Sequence, residues 1–157
     1  MITFTIVTCT YKAASVLQRT LHSVLMQEYE GVEHLIVDGA STDSTREMAE
    51  EYKRISDARQ CKGRTVKVVS EPDRGLYDAM NKGIRMATGD VVGLLNSDDF
   101  YTSNDVLEHV ARALSDPNVD AIYGDIHYVN DDDLTHCVRY YSSRVFSRGL
   151  MRLGFMP

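Results

Sequence analysis

The chain lacks the features that mark several large protein classes. It has no basic excess: 17 Lys and Arg stand against 23 Asp and Glu, a formal net charge of −6. Broad, backbone-driven nucleic-acid binding needs a basic face and is therefore not expected. Its three cysteines, Cys9, Cys61 and Cys137, lie far apart with no Cys-x-x-Cys pair, which reads as reduced thiols in a cytoplasmic protein rather than a disulfide framework. No run approaches the roughly 18 apolar residues of a membrane span. Residues 2–7 are too short for a signal-peptide core and have no basic lead-in. No Gly-x-Gly-x-x-Gly follows the first apolar run and no Gly-Lys-Ser/Thr phosphate loop occurs. No Gly-x-Ser-x-Gly elbow occurs either, and the five histidines show no metal-ligand spacing.

What remains is a chain of 157 residues, 43% hydrophobic and 25% charged, the size and balance of one soluble core. Apolar patterning alternates between two periods. Short β-branched runs occur at 2–8, 32–38, 65–70 and 90–96, each followed by a stretch with helical spacing. The helical faces carry Leu17, Leu21 and Leu25, then Ala49, Tyr52 and Ile55, then Met80, Ile84 and Ala87, then Leu107, Val110 and Leu114. A capping box at Ser44-Thr45-Arg46-Glu47 opens the second helix, Gly89 stops the third and Pro117 closes the fourth. Repeated strand–helix–strand units predict an α/β fold, with a parallel sheet covered on both faces. Residues 121–129 and 134–141 around Asn130-Asp131-Asp132-Asp133 predict an antiparallel hairpin, followed by a short amphipathic segment over 145–153. The abrupt apolar end, Gly154-Phe155-Met156-Pro157, reads as that of a fragment.

In open parallel sheets, ligands bind outside the carboxyl ends of the strands. The four exits are Thr8-Cys9-Thr10-Tyr11, Asp38-Gly39-Ala40-Ser41, Ser70-Glu71-Pro72-Asp73 and Asn96-Ser97-Asp98-Asp99. All are polar, three carry carboxylates, and together they predict one cleft. An acidic protein that binds a polyanion usually needs a cation between the two. The doublet Asp98-Asp99 can hold Mg²⁺ or Mn²⁺ through one or two carboxylates, with phosphate oxygens completing the shell; its alternative role is to lead into the next helix, favoured by the dipole. Asp38 can accept the imide N–H of uracil, or serve a turn and helix cap. Thr8 and Thr10 can hold base or ribose, or end a strand. Arg74 offers a planar fork to a diphosphate, while Lys82 and Arg85 read as solvated helix charges.

Taken in order, these loops resemble the family 2 glycosyltransferases of GT-A (Rossmann-like) fold. Thr8-Cys9-Thr10-Tyr11-Lys12 is similar to that family's opening nucleotide strand. Residues 37–45 are similar to its Asp-Gly-Ser-x-Asp loop, interrupted by Ala40. Residues 70–83 are similar to the subgroup of bacterial polysaccharide synthesis, including colanic-acid-type enzymes. Gly89-Asp90 and Asn96-Ser97-Asp98-Asp99 are similar to its Gly-Asp strand and metal motif, with Asn96 in place of the usual first acid.

The resemblance implies that residues 1–157 form a nucleotide-sugar-binding domain without the C-terminal acceptor-binding part. Nucleotide contacts would come from Thr8, Thr10, Tyr11, Asp38, Arg74 and Asp98, and the metal would sit on Asp98 and Asp99. The donor would be a nucleoside-diphosphate sugar, a UDP-sugar by family habit, and the acceptor a saccharide or lipid-linked hydroxyl. Transfer would invert the anomeric centre, in the cytoplasm or at the inner face of the membrane by peripheral association. The catalytic base is expected beyond Pro157, because residues 134–157 contain no Asp or Glu and Asp125 is not assigned that role; the chain is accordingly expected to bind without efficient transfer. The alternatives are a sugar nucleotidyltransferase, for which Lys12 alone is a poor substitute for a Gly-rich basic loop, and a non-catalytic nucleotide-binding module.

Overall fold

The computed structural model describes residues 1–144; the amphipathic segment expected over 145–153 lies outside the described residues. The chain divides into two compact units, Met1–Arg112 and Ala113–Pro157. In the first, the elements run β1 (Phe4–Thr10), α1 (Leu17–Leu25), β2 (Val32–Asp38), α2 (Thr45–Ala58), β3 (Arg64–Ser70), α3 (Leu76–Met86), β4 (Val91–Leu94) and α4 (Val106–Ala113). The strands form one sheet in the order β3-β2-β1-β4, and every pairing is parallel. The second unit contains the expected hairpin, β5 (Ile126–Asn130) antiparallel to β6 (Asp133–Tyr141).

β1 and β2 are buried at every position, as continuous apolar runs in a parallel sheet should be. Because successive side chains alternate across a strand, β2 sends Ile36 to one face and Leu35 and Val37 to the other. Ile36 packs with Leu17, Leu21 and Leu25 of α1, Ala49 and Tyr52 of α2, and Val66. Leu35 and Val37 pack with Val7, Cys9 and Ala79 of α3. Both faces of the sheet are thus covered, as the alternating pattern predicts.

Two of the expected helix signals act differently from the sequence reading. Ser44 makes no capping hydrogen bond, because its φ of −76° and ψ of 12° are turn-like rather than extended. The Asp43 carboxylate takes over, accepting from the Thr45 N–H at 3.2 Å and the Thr45 hydroxyl at 2.6 Å. Gly89 does not stop α3 in a left-handed conformation, since the positive-φ glycines are Gly31, Gly63 and Gly75. It is small because the chain crosses β1 there: a Cβ at Gly89 would lie 2.7 Å from both the Phe4 carbonyl carbon and the Thr5 nitrogen.

Two ionisable groups are sealed between the strands. His34 is 1% exposed, with Nε2 3.0 Å from the Thr8 hydroxyl and Nδ1 2.8 Å from the Tyr52 hydroxyl. Burial, with the Arg64 charge adding to it, pushes the imidazole down to about 3. Burial also opposes the charge on Glu33, but hydrogen bonds from Lys67, Thr5 and the Thr88 N–H outweigh it and hold the carboxyl at about 2.

Both shifts have the same sign in their effect on stability. Above the unfolded value of 6.5 the native state loses nothing to His34; as pH falls from 6.5 towards 3, the unfolded chain gains a proton that the folded chain refuses. Glu33 adds its loss as pH falls from 4.5 towards 2. The urea midpoint is therefore expected to decline already between pH 6.5 and 5, before carboxylates protonate, and to steepen below 4.5. A flat midpoint from pH 7 to 5 would contradict the neutral, buried imidazole.

Candidate nucleotide cleft

The register sets the strand exits side by side. Thr10 lies opposite Asp38, and Asp38 opposite Ser70, while Val7 opposite Leu94 starts the β4 exit within a turn of the same edge. Hydrogen bonds carry the alignment past the strands, from Gly39 N–H to Thr10 O at 2.9 Å and from Glu71 N–H to Asp38 O at 3.0 Å. Over this edge opens a cavity of about 740 Å³. Cys9, Thr10 and Tyr11 line it from β1, Gly39 from β2, Pro72 and Asp73 from β3, and Asn96, Ser97 and Asp98 from β4; Gly75, Leu76 and Ala79 close it at the start of α3. All four exits contribute to one cleft.

Thr10 is 4% exposed, and its hydroxyl is the one buried side-chain oxygen or nitrogen without a hydrogen-bond partner among the described residues. Orphaned buried hydroxyls are costly and rare, and this one, on a cavity wall, is open to a polar partner. Tyr11 stands beside it, 60% exposed, with Lys12 Nζ 5.4 Å from its ring centroid. Cys9 is buried in the floor; burial, and then the Asp73 charge, push its thiol up to about 11, so it is a neutral, inert wall at neutral pH.

The structure does not bring all of the sequence-nominated residues to this wall. Thr8 is fully buried in the His34–Tyr52 network. Asp38 is also fully buried. Its Oδ2 accepts from the Ser41 N–H at 3.0 Å and the Ser70 hydroxyl at 2.6 Å, and its Oδ1 accepts from the Ser41 hydroxyl. Ser41 in turn accepts from the Lys12 N–H at 2.9 Å. Ala40 makes this possible with a left-handed φ of 59°, and Lys12 is left-handed too, at 49°. Asp38 therefore ties three strand exits together from beneath. Arg74 is exposed at the start of α3, outside the cavity lining, its N–H donating to Asp78. Lys82 is not a solvated charge: it is 17% exposed, 2.9 Å from Glu71 and 2.8 Å from the Pro72 carbonyl, and props the β3 exit.

Asp98 lines the cavity and Asp99 follows it in a turn closed by Asp99 N–H to Asn96 O at 3.1 Å. The Asn96 side-chain amide donates to Asp99 Oδ2 at 3.1 Å. Partial desolvation, then the adjacent Asp98 charge, raise the Asp99 carboxyl, with the Asn96 hydrogen bonds pulling the other way. α4 begins seven residues later, at Val106. A dipole acts over about one turn, so a helix-leading role does not account for this doublet.

Mg²⁺ and Mn²⁺ fit two adjacent carboxylates whose mutual repulsion is not neutralised by a basic side chain. No group of three or more His, Cys, Asp or Glu converges as a ready cage among the described residues. The remaining ligands would come from water and phosphate, as is usual for Mg²⁺.

Asp125, the late acid set aside as a base, is engaged within the hairpin unit. Hydrogen bonds from the Tyr140 hydroxyl, the Ser143 hydroxyl and the Ser143 N–H hold it at about 2, a poor proton acceptor at neutral pH. The sequence reading placed Cys9, Gly39 and Asp73 in the exits expected to form the cleft but did not single them out as site residues. Asp73 stood at a polar strand exit, but no local pattern tells which exit acid faces inward.

Comparison with known proteins places this architecture. The model of the glycosyl transferase family 2 matches residues 5–153. An uncharacterised glycosyltransferase of Mycobacterium tuberculosis is 36% identical over 72% of this chain and 40% of its own length. A PGL/p-HBAD biosynthesis glycosyltransferase of Mycobacterium bovis is 33% identical over 78% of this chain and 46% of its own. The chain thus spans less than half the length of these curated relatives. Among solved structures, the mannosyltransferase PcManGT of Pyrobaculum calidifontis, in complex with GDP-Man and Mn²⁺, superposes with a TM-score of 0.65 at 27% identity, over 82% of this chain and 35% of that one. TarS of Staphylococcus aureus shares the fold at a TM-score of 0.61 and 23% identity, over 73% of this chain and 31% of its residues 1–349. The parallel sheet, its helical cover and a match over nearly the whole sequence lead to one conclusion: the chain belongs to glycosyl transferase family 2.

Proposed function

We propose that the cleft binds a nucleoside-diphosphate sugar, a UDP-sugar foremost, with Mg²⁺ or Mn²⁺ at Asp98 and Asp99. It would be the donor half of an inverting transfer to a saccharide or lipid-linked hydroxyl in polysaccharide synthesis. The observation that carries this is the orphaned Thr10 hydroxyl on the wall of a cavity built by all four strand exits. Its volume of about 740 Å³ falls within the ordinary range for small-ligand sites. PcManGT, which holds GDP-Man and Mn²⁺, and a putative teichuronic acid biosynthesis glycosyltransferase of Bacillus subtilis, 36% identical over 60% of this chain, support the ligand and acceptor classes.

In this proposal Thr10 and Tyr11 hold the nucleoside and Asp98 faces the ribose or the diphosphate. Arg74, at the start of α3, reaches towards the phosphates when the donor is bound. The bound cation would supply charge neutralisation for the departing diphosphate. Asn96 keeps the Asp99 carboxylate oriented through its side-chain amide. The acceptor hydroxyl would attack the anomeric carbon from the side opposite the leaving group and lose its proton to a base that Asp125 does not supply.

Calorimetric titration with UDP in the presence and absence of Mn²⁺ tests the proposal. Saturable binding that needs the metal is expected. No heat of binding at about 1 mM UDP, an affinity ceiling near −4 kcal/mol, would refute it.

A further inference from the structure

We infer that Thr20, buried on α1 behind the cleft, is a positioning residue for the Asp98–Asp99 doublet, at the head of a polar stripe that sets the loop carrying it. The inference rests on the cation proposed at that doublet. Residues 95–105, between β4 and α4, form neither helix nor strand. At the doublet the loop's own hydrogen bonds run between Asn96 and Asp99, while the adjacent carboxylates repel. α1 supplies the hold from outside. The Thr20 hydroxyl donates to the Ser97 carbonyl at 2.8 Å. One turn on, the Ser23 hydroxyl accepts from the Tyr101 N–H at 3.2 Å. Just past the helix end, the Gln27 amide donates to the Ser103 carbonyl at 2.7 Å and accepts from the Leu107 N–H at 3.1 Å. The stripe thus follows the loop in order, from the doublet to the first turn of α4.

Thr20 is the member that bears on the doublet. A threonine hydroxyl inside a helix ordinarily donates to its own backbone, three or four residues back, as Ser23 does to the Thr20 carbonyl at 2.8 Å. Thr20 donates instead to a residue 77 positions away. The Ser97 carbonyl shares a planar trans peptide with the Asp98 N–H, so holding that oxygen towards α1 sets the direction in which the chain enters Asp98. Asn96, Ser97 and Asp98 line the cavity; Thr20 does not, and is fully buried. It acts on the doublet through the backbone rather than by touching a ligand. The base is firm, because Leu17, Leu21 and Leu25 of the same helix are locked in the core. Without the hydroxyl, the Ser97 carbonyl is left without its donor and turns to water, carrying the Asp98 peptide with it.

The test is Thr20→Val, which keeps the branched shape and removes the donor. With UDP present, its apparent affinity for Mn²⁺ by calorimetry should fall about tenfold or more, the scale for removing a group behind a metal ligand. At saturating Mn²⁺ the UDP affinity should return to within about threefold of the unsubstituted protein, a split that general damage to the cleft does not produce. Thr20→Ser, which retains the donor, should restore the affinity for the ion. In ligand-free protein, hydrogen exchange over residues 98–101 should quicken in Thr20→Val while β1 and β2 stay protected. If Thr20→Val does not fold, Ser23→Ala removes the Tyr101 contact with a residue that favours helix and should show the same split at smaller size. Unchanged affinity for Mn²⁺ in a folded Thr20→Val would overturn the inference. So would an equal loss in Thr20→Ser, which would trace to packing, or a loss of UDP affinity that saturating Mn²⁺ does not repair. Absence of Mn²⁺-dependent binding in the unsubstituted protein would instead remove the proposed cation site, and this inference with it.

Discussion

Replacing Asp99 by alanine is expected to abolish the Mn²⁺-dependent component of UDP binding. The loss should be on the order of 100-fold, about 2.7 kcal/mol, because one of the two protein carboxylates that would neutralise the cation is removed. Thermal stability should not fall with it and should rise slightly. Asp99 carries a raised carboxyl whose causes, partial desolvation and the Asp98 charge, are both costs of keeping it ionised in the ligand-free fold. The same shift fixes the pH dependence. A proton competes with the cation for Asp99, and since the carboxyl titrates above its ordinary value, metal-dependent binding should weaken on acidification sooner than for an unperturbed aspartate. Asn96→Ala removes a hydrogen bond that favours the charged form and should move that loss to still higher pH. Titrations at several pH values read both effects. Unchanged Mn²⁺ dependence in Asp99→Ala would take the metal away from this doublet.

Gly89→Ala is expected to be the most destabilising of the single-methyl additions, by about 3 kcal/mol. The new Cβ would lie 2.7 Å from backbone atoms of Phe4 and Thr5 and 3.0 Å from the Thr3 carbonyl oxygen, none of which can rotate away. The same crossing holds the Gly89 N–H against the Thr5 hydroxyl at 2.9 Å and the Thr88 N–H against Glu33 at 2.9 Å. Separating the chains would therefore also strip hydrogen bonds from a buried carboxylate. Gly83→Ala gives a useful contrast. Its Cβ would meet Val7 Cγ1 at 2.3 Å, but a side chain can shift more cheaply than a backbone, so its cost should be smaller. Urea unfolding of the two variants ranks them, and a Gly89→Ala midpoint within error of the unsubstituted protein would contradict the close crossing.

The interest of the cleft lies in how its acids are divided. Asp38 stabilises three exits from beneath, Asp73 lines the wall with one oxygen held by the Gly75 N–H, and Asp98 with Asp99 forms a doublet whose repulsion, among the described residues, is eased by the Asn96 amide alone. Strain is concentrated at the same edge, with Lys12 and Ala40 both left-handed, a conformation that disfavours side chains by roughly 1 kcal/mol or more each. Ser41, bonded to Asp38 and to the Lys12 N–H, holds both residues in place.

Much of this architecture was legible without coordinates, because it follows from local and topological rules. Periods of 2 and 3.6 separate strands from helices within a short window, and alternating strands and helices leave few arrangements besides a parallel sheet. Strand order then puts all carboxyl ends on one edge, so the four polar exits could be expected to meet, and they do. The family resemblance rested on those exits in their order along the chain. What sequence could not decide was the direction of each side chain at the edge. Asp38 and Asp73 are both acids at strand exits; register sets Asp38 between Thr10 and Ser70 and turns it inward, while Asp73 lies past the last pair and lines the cavity. Capping by Asp43 in place of Ser44, and the need for glycine at position 89, likewise depend on a backbone angle and on a chain crossing between residues more than eighty positions apart. Local patterning determined which segments form the cleft; packing between distant strands decided which of their side chains line it.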